Sequence, residues 1–282
     1  MATDLHIHSC YSSGTQTPEE AIQEAISKGI RFISFTDDDT MDAYHVLEAL
    51  AQQYGIRYIK GVQVSASREN HLFRLLAYDC DPDNPRLQAL FKDNRDNWDA
   101  IGLSIIKIMA EERPELSAEE YGNHKQIPHL GGFKFQNYLY AKGLDGGDDA
   151  SVQWFLKYQA QMGAIMQKLP FRPVEEVIDI IHDAGGYAII AGGYLRNPDT
   201  LTEDVEQLMA MGIDGLEGYS ASHSPETAAA LRDYAKAHDL LLTGGGDGHG
   251  AFANQAKYAI GIAEIEDELL NLGSIKIFGS LT

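Results

Sequence analysis

The sequence predicts an α/β fold interrupted by a helical stretch, and three observations carry that prediction. Short apolar runs alternate with amphipathic, helix-like segments over the first 80 residues, the alternation stops over 86–168, and it resumes near residue 173. Strand–helix–strand alternation implies parallel strands joined by helical crossovers. A chain of 282 residues suits one large α/β domain with an insertion and a substantial core. Its 44% hydrophobic and 23% charged residues exclude disorder.

Residues 5–7 form the first strand candidate. Thr17-Pro18-Glu19-Glu20 then opens a helix, with Thr17 as N-cap, Pro18 at the first helical position and Glu20 completing a capping box. Gly29 ends that helix and 30–35 reads as the next strand. A helix over 41–53, closed by Gly55, precedes strands over 56–64 and 72–78. After Asp81-Pro82-Asp83-Asn84-Pro85 the apolar spacing becomes helical (Leu87, Leu90, Phe91, then Ile101, Ile105, Ile108), with a loop at 143–149. Alternation then resumes with helices over 174–184, 199–211 and 225–237 and strands over 187–191, 213–217 and 240–243. The tail, 257–282, adds a short strand or two and a helix near 264–271. The expected organisation is an α/β unit from 1–83 and 170–282 around a helical insertion, 84–169.

Composition excludes several function classes. Twenty-two Lys+Arg against 42 Asp+Glu leave a formal charge of −20, which repels a phosphate backbone at long range, so nucleic-acid binding is not expected. Two cysteines, Cys10 and Cys80, allow neither a disulfide framework nor a four-cysteine zinc site. No apolar run reaches the roughly 18 residues of a membrane span, and the N-terminus lacks the marks of a signal peptide. The expectation is a soluble, cytoplasmic protein with no membrane partner.

Polar residues collect at the ends of the strands. His6 and His8 are two apart, so on a strand they face the same way. Asp37-Asp38-Asp39 closes the second strand, Gln63 and Ser65 the third, and Arg74 lies within the fourth. Asp247 and His249, again two apart, sit in a glycine run, Gly244–Gly246 with Gly248 and Gly250, that lets backbone approach a ligand closely. In a parallel sheet or barrel the strand C-termini share one rim, where active sites are built. His6, His8, Asp38, Asp247 and His249 would converge there, and mixed imidazole and carboxylate donors suit Zn²⁺, Mn²⁺ or Fe²⁺. Taken singly, some of these features fit plainer roles: three aspartates also suit a helix N-terminus, and His182 and His238 suit helix C-termini.

Asp4-Leu5-His6-Ile7-His8-Ser9, Pro18-Glu19-Glu20, Phe35-Thr36-Asp37-Asp38-Asp39-Thr40, Gly61-Val62-Gln63-Val64-Ser65, Gly185-Gly186-Tyr187-Ala188 and Gly246-Asp247-Gly248-His249-Gly250 together resemble the polymerase-and-histidinol-phosphatase (PHP) family, in its stand-alone phosphoesterase form. The resemblance spans essentially the whole chain. It implies a distorted seven-stranded β/α barrel, TIM-like, with two or three divalent metals on the strand-end rim that activate water for attack on a phosphate ester.

The sequence departs from that pattern at several positions. Ser13 stands for an aspartate ligand, Asp38 for a histidine, Gln63 for the bridging glutamate, Arg74 for a histidine and Gly192 for another; an arginine of the insert is Ile127, in Ile127-Pro128-His129. By resemblance, a first ion would keep His6, His8 and Asp247 with Gln63 as a neutral oxygen donor. A second would keep Asp38 and His249, and a third would lose its ligands. One or two ions (Mn, Zn, Fe or Mg) are therefore expected, serving hydrolysis of a small phosphate monoester or nucleotide-type substrate. Asp38, Arg74 and His129 are the candidate catalytic groups, with Arg74, His129 and Arg196 facing substrate. Arg74 either replaces a lost metal in holding an anion or salt-bridges a neighbouring aspartate. Two other functions fit the same residues: a catalytically impaired PHP domain that binds a small anion or a partner, and a metallohydrolase of a non-phosphate substrate.

Overall fold

Eight strands form a single sheet that bends almost into a barrel, in the order β7-β6-β5-β4-β3-β2-β1-β8. The computed structural model describes residues 1–144, 161, 163–165, 168, 171–195, 201–252 and 257–279. The strands are β1 (Ala2–Ile7), β2 (Phe32–Phe35), β3 (Arg57–Arg68), β4 (His71–Tyr78), β5 (Tyr187–Ile190), β6 (Gly215–Ser220), β7 (Leu241–Gly245) and β8 (Ile265–Glu266). The helices among the described residues are α1 (Pro18–Ser27), α2 (Tyr44–Tyr54), α3 (Pro85–Ala110), α4 (Ala118–Asn123), α5 (Lys134–Ala141), α6 (Val174–Asp183), α7 (Leu201–Ala210) and α8 (Pro225–Ala237). α1 starts on the expected capping box, Thr17 and Glu20 bonding each other's backbone. No helix of the described residues is long and apolar enough to cross a membrane.

Two details differ from the expected seven-stranded, parallel arrangement. β1–β3 and β5–β7 are parallel, but β4 runs antiparallel to both β3 and β5. Only Glu69 and Asn70, both at positive φ, separate β3 from β4. Such a link is a hairpin, too short for a crossover helix. The eighth strand is two residues of the tail, paired with Ala2 and Thr3 of β1. It sits near the seam where β1 meets β7, which closes through the parallel bridge of Ile7 with Gly248. The helix expected near 264–271 is only a single 3-10 turn, Asp267–Leu269.

The barrel is filled by Leu5, Phe32, Ile59, Leu76, Tyr78 and Ile189, all buried. The Tyr78 hydroxyl crosses the interior to donate to the Leu5 carbonyl at 2.8 Å. Outside, α1 and α2 cover β1–β3, while α6–α8 and the first turns of α3 cover the other strands. The rest of α3 joins α4 and α5 in a separate apolar cluster around Ile101, Ile105, Tyr121, Phe135 and Tyr138. Between β4 and β5 the described residues form helices and turns and no strand; most of the loop expected at 143–149 lies outside the described residues.

Candidate metal centre

A slip in strand register sets the aim of the two histidines. β1 and β2 change register between Asp4 and Ile7. Leu5 therefore packs inside the barrel while Ile7, two residues on, packs outside under α1. An extra residue of this kind re-aims side chains locally, and both His6 and His8 turn to the rim. Gly245 makes room for them: a Cβ there would lie 2.4 Å from the His6 Cβ. Gly245 thus lets β7 close on β1, while Gly244 leaves room for Tyr219 and Gly246 for the Ala259 carbonyl.

The aspartate triplet divides by role. Asp37 accepts from the Ser9 N–H and Oγ and from Ser12 Oγ, tying the loop after β1. Asp39, at φ 49°, accepts from the Ser65 N–H and Oγ, Asn94 Nδ2 and Trp98 Nε1, tying β3 to α3. Only Asp38 points into the centre. None of the three caps a helix, because α2 begins at Tyr44.

Three donor atoms form a near-equilateral triangle on the rim. His6 Nε2 and His8 Nε2 are 3.3 Å apart, and Asp247 Oδ1 lies 3.2 Å from each. Ligands at about 2.0–2.1 Å around a tetrahedral ion sit about 3.3 Å from one another, so this donor set fits a metal ion of the kind the PHP pattern implies. Asp247 is held at φ 52° by the turn after β7. Behind His6, Glu217 Oε1 takes the Nδ1 proton at 2.8 Å, which fixes the tautomer that aims Nε2 at the triangle.

Beyond His8 lies a polar network centred on Asp38. Its Oδ2 accepts from Ser13 Oγ at 2.6 Å and lies 3.4 Å from His8 Nδ1. Its Oδ1 accepts from Gln63 Nε2 at 2.8 Å and lies 3.4 Å from Arg74 Nη1. The Arg74 guanidinium lies over the rings of Trp98 and Phe133, 5.5 and 5.4 Å from their centres. Because β4 is reversed, Arg74 near its start reaches the same rim as the ends of the other strands. The pairing with an aspartate, one of the two roles open to Arg74, is therefore present. His249 stacks on His8 at 4.1 Å and bonds its Nδ1 to the Asp247 carbonyl.

The charges are strongly coupled. Burial disfavours a charged ring at both His6 and His8, yet the carboxylates of Glu217 and Asp247 raise His6, and those of Asp38 and Asp247 raise His8 to about 10. Burial works against ionised Asp38 and Asp247 too, but the histidines, and Arg74 beside Asp38, hold both below the usual carboxylate range. His249 goes the other way, down to about 4, through burial and the charge of His8.

The structure thus brings together His6, His8, Asp38, Gln63, Arg74, Asp247 and His249. His129 is exposed on the 3-10 turn Pro128–Leu130 and shares no contact with this cluster. Arg196 lies outside the described residues. Glu217 is absent from the residues that the sequence singles out, although the rule that found the other strand ends, applied to β6, reaches it. Gly192, where the PHP pattern has a histidine, is filled from elsewhere: a Cβ there would meet Glu217 Oε2 at 2.9 Å and His223 Cε1 at 3.1 Å. A cleft of about 350 Å³ opens over the triangle, lined by Arg74, Tyr194, Ser220, Ser222, Asp247 and Tyr258 among others.

The model of the PHP domain family matches residues 4–163, more than half of the chain. The chain belongs to the PHP domain family. A 3',5'-nucleoside bisphosphate phosphatase of Chromobacterium violaceum is 27% identical over 87% of this chain and 86% of its own. A 5'-3' exoribonuclease of Haemophilus influenzae is 25% identical, over 87% and 89%. A metal-dependent phosphoesterase structure from Bifidobacterium adolescentis superposes with a TM-score of 0.75 at 23% identity, covering 95% of this PHP chain and 93% of the other. That likeness extends the shared fold across the helical stretch and the tail.

Proposed function

We propose that this PHP protein is a metal-dependent phosphoesterase acting on a small, nucleotide-type phosphate ester. The single observation that carries this reading is the triangle of His6 Nε2, His8 Nε2 and Asp247 Oδ1, with edges of 3.2–3.3 Å, opening onto a cleft that also exposes Arg74. His6, His8 and Asp247 would hold a divalent ion, which when bound would supply a water of lowered pKa and polarise the phosphoryl group. Gln63 adjoins it as a neutral oxygen donor, and Asp38 and His249 as the residues a second ion would keep. Glu217 and Asp38 hold the two histidine rings in place. Arg74, held over the rings of Trp98 and Phe133, turns its remaining N–H donors to the phosphate oxygens. Ser220, Ser222, Tyr194 and Tyr258 are positioned around the organic part of the substrate. His129 contacts only a substrate long enough to reach the 3-10 turn of the helical stretch, and Arg196, outside the described residues, keeps its expected role of facing substrate. In this reading 84–169 is an insertion whose α3 supplies the ring beneath Arg74.

The expected exclusion of nucleic acid rested on the charge of −20 and on the scatter of the 22 basic residues, with no basic run. A relative named as an exoribonuclease argues against so broad an exclusion, because a chain end entering a small cleft meets the local field of Arg74 before the distant acidic surface. Chelator-stripped protein reloaded with Mn²⁺, Zn²⁺, Fe²⁺ or Mg²⁺ should release phosphate from nucleoside bisphosphates or nucleotides, or mononucleotides from a short RNA. Asp247→Ala should abolish it. No turnover of any of these with any metal would overturn the proposal. A second reading, a PHP domain that binds an anion without hydrolysing it, draws on the Asp38 network; tight metal and phosphate binding without turnover would select it.

A further inference from the structure

Two sets of metal-compatible donors overlap at the centre: His6, His8 and Asp247 make one, and His8, Asp38 and His249 the other. Both need His8. A neutral imidazole has one lone pair on one ring nitrogen and a proton on the other. The first set uses His8 Nε2, which faces Asp247 Oδ1 at 3.2 Å. Nδ1 then carries the proton and faces Asp38 Oδ2 at 3.4 Å. That Nδ1 is buried and makes no hydrogen bond, and Asp38 Oδ2, at ion-pair distance, is the acceptor within its reach. On the other ring the corresponding contact is a full hydrogen bond, His6 Nδ1 to Glu217 Oε1 at 2.8 Å. Two carboxylates therefore back the two histidines of a single triangle.

We propose that the centre holds one ion, on His6, His8 and Asp247, and that Asp38 is a positioning residue for His8 rather than a ligand of a second ion. The surroundings of Asp38 agree. Ser13 Oγ, Gln63 Nε2 and Arg74 Nη1 already crowd its two oxygens at 2.6, 2.8 and 3.4 Å. A second dication would have to displace those donors and stand beside a permanent guanidinium charge. Each of these donors except Asp38 itself is an uncharged or cationic group at a position where the PHP pattern has an anion or an imidazole. The second site has thus been replaced by a self-neutralised network.

This rests on the metal site of the proposed function but not on its substrate. The test is to strip the full-length protein, titrate it with Mn²⁺, and read stoichiometry by elemental analysis and coupling by electron paramagnetic resonance. Wild type should bind one equivalent with the six-line spectrum of an isolated Mn²⁺. Asp38→Asn, which keeps an acceptor oxygen for His8, should still bind one, about 10–100-fold more weakly. Asp38→Ala should lose more affinity than Asp38→Asn while circular dichroism shows both folded. Arg74→Ala should remain at one, because Ser13 and Gln63 still occupy the two oxygens of Asp38. Two spin-coupled ions in wild type, a count that drops in Asp38→Asn, or a count that rises to two in Arg74→Ala would overturn the single-ion assignment. No bound Mn²⁺ in wild type would overturn the metal site itself, which distinguishes the two failures.

Discussion

The Nδ1–H of buried His6 donates to Glu217 Oε1 at 2.8 Å, on the side of the ring away from Asp247. A carboxylate in that position fixes the tautomer and raises the basicity of the ligating nitrogen. Glu217→Gln should weaken metal binding about 10–100-fold without changing the number of ions bound. Isothermal titration with Zn²⁺ or Mn²⁺ checks it, and unchanged affinity would leave Glu217 a packing residue.

The pairing of His8 makes metal binding pH-dependent. Burial disfavours its charged form, yet Asp38 and Asp247 raise its pKa to about 10 in the ion-free protein. His8 is then protonated near neutral pH and gives up that proton to ligate. Affinity should rise about tenfold per pH unit between about pH 7 and 9, with proton release visible in buffers of different ionisation enthalpy. The stability of the stripped protein runs the opposite way. A histidine raised on folding stabilises fully below its unfolded pKa of about 6.5, and that contribution is lost as pH climbs through about 10. The melting-temperature advantage of stripped wild type over His8→Gln should therefore shrink between those values.

The three consecutive aspartates should separate cleanly under mutation. Asp37→Ala and Asp39→Ala each remove acceptors from several buried donors, at about 1.5–3 kcal/mol for each charged hydrogen bond lost. Both should lower the melting temperature markedly. Asp38→Asn should act on metal affinity more than on stability, because its partners can bond an amide or the solvent of the cleft. Urea unfolding beside metal titration distinguishes the classes, and equal stability losses for all three would contradict the division.

Arg74 should show its role in substrate affinity. Loss of a charge-assisted hydrogen bond to phosphate costs about 1.5–3 kcal/mol, so Arg74→Ala should raise KM or the dissociation constant of inorganic phosphate by about 10–150-fold. Arg74→Lys should not restore it, since an ammonium offers no planar fork of N–H donors to phosphate oxygens. Phosphate binding by Arg74→Ala as tight as by wild type would remove Arg74 from the anion site.

Gly192 should resist restoration of the histidine that the PHP pattern has there. A Cβ would fall 2.8 Å from Ser220 Cβ and 2.9 Å from Glu217 Oε2. Gly192→Ala should cost about 1–3 kcal/mol of stability by overpacking and weaken metal binding by displacing Glu217 from His6. Thermal melts and metal titration of this one variant check both effects.

Much of this centre was legible in the chain itself. The period-2 spacing of His6 with His8, the strand-ending aspartates and the Asp247-x-His249 turn are local patterns, and a strand's C-terminal end determines which rim it serves. The capping box at Thr17 and the helical spacing of Leu87, Leu90 and Phe91 are local in the same sense. What local pattern could not carry was anything that depends on a partner distant in sequence. The reversal of β4 follows from a two-residue link that leaves no room for a crossover, and it alone brings Arg74 to the rim. The register slip in β1 is set by pairing with β2, and it decides which way the histidines face. Whether Asp38 ligates an ion or backs His8 depends on Ser13, Gln63 and Arg74 meeting it from three different strands and loops. Residue type and spacing determined which groups this protein has for metal chemistry; the closing of the sheet decided which of them share a lone pair, a proton or a charge.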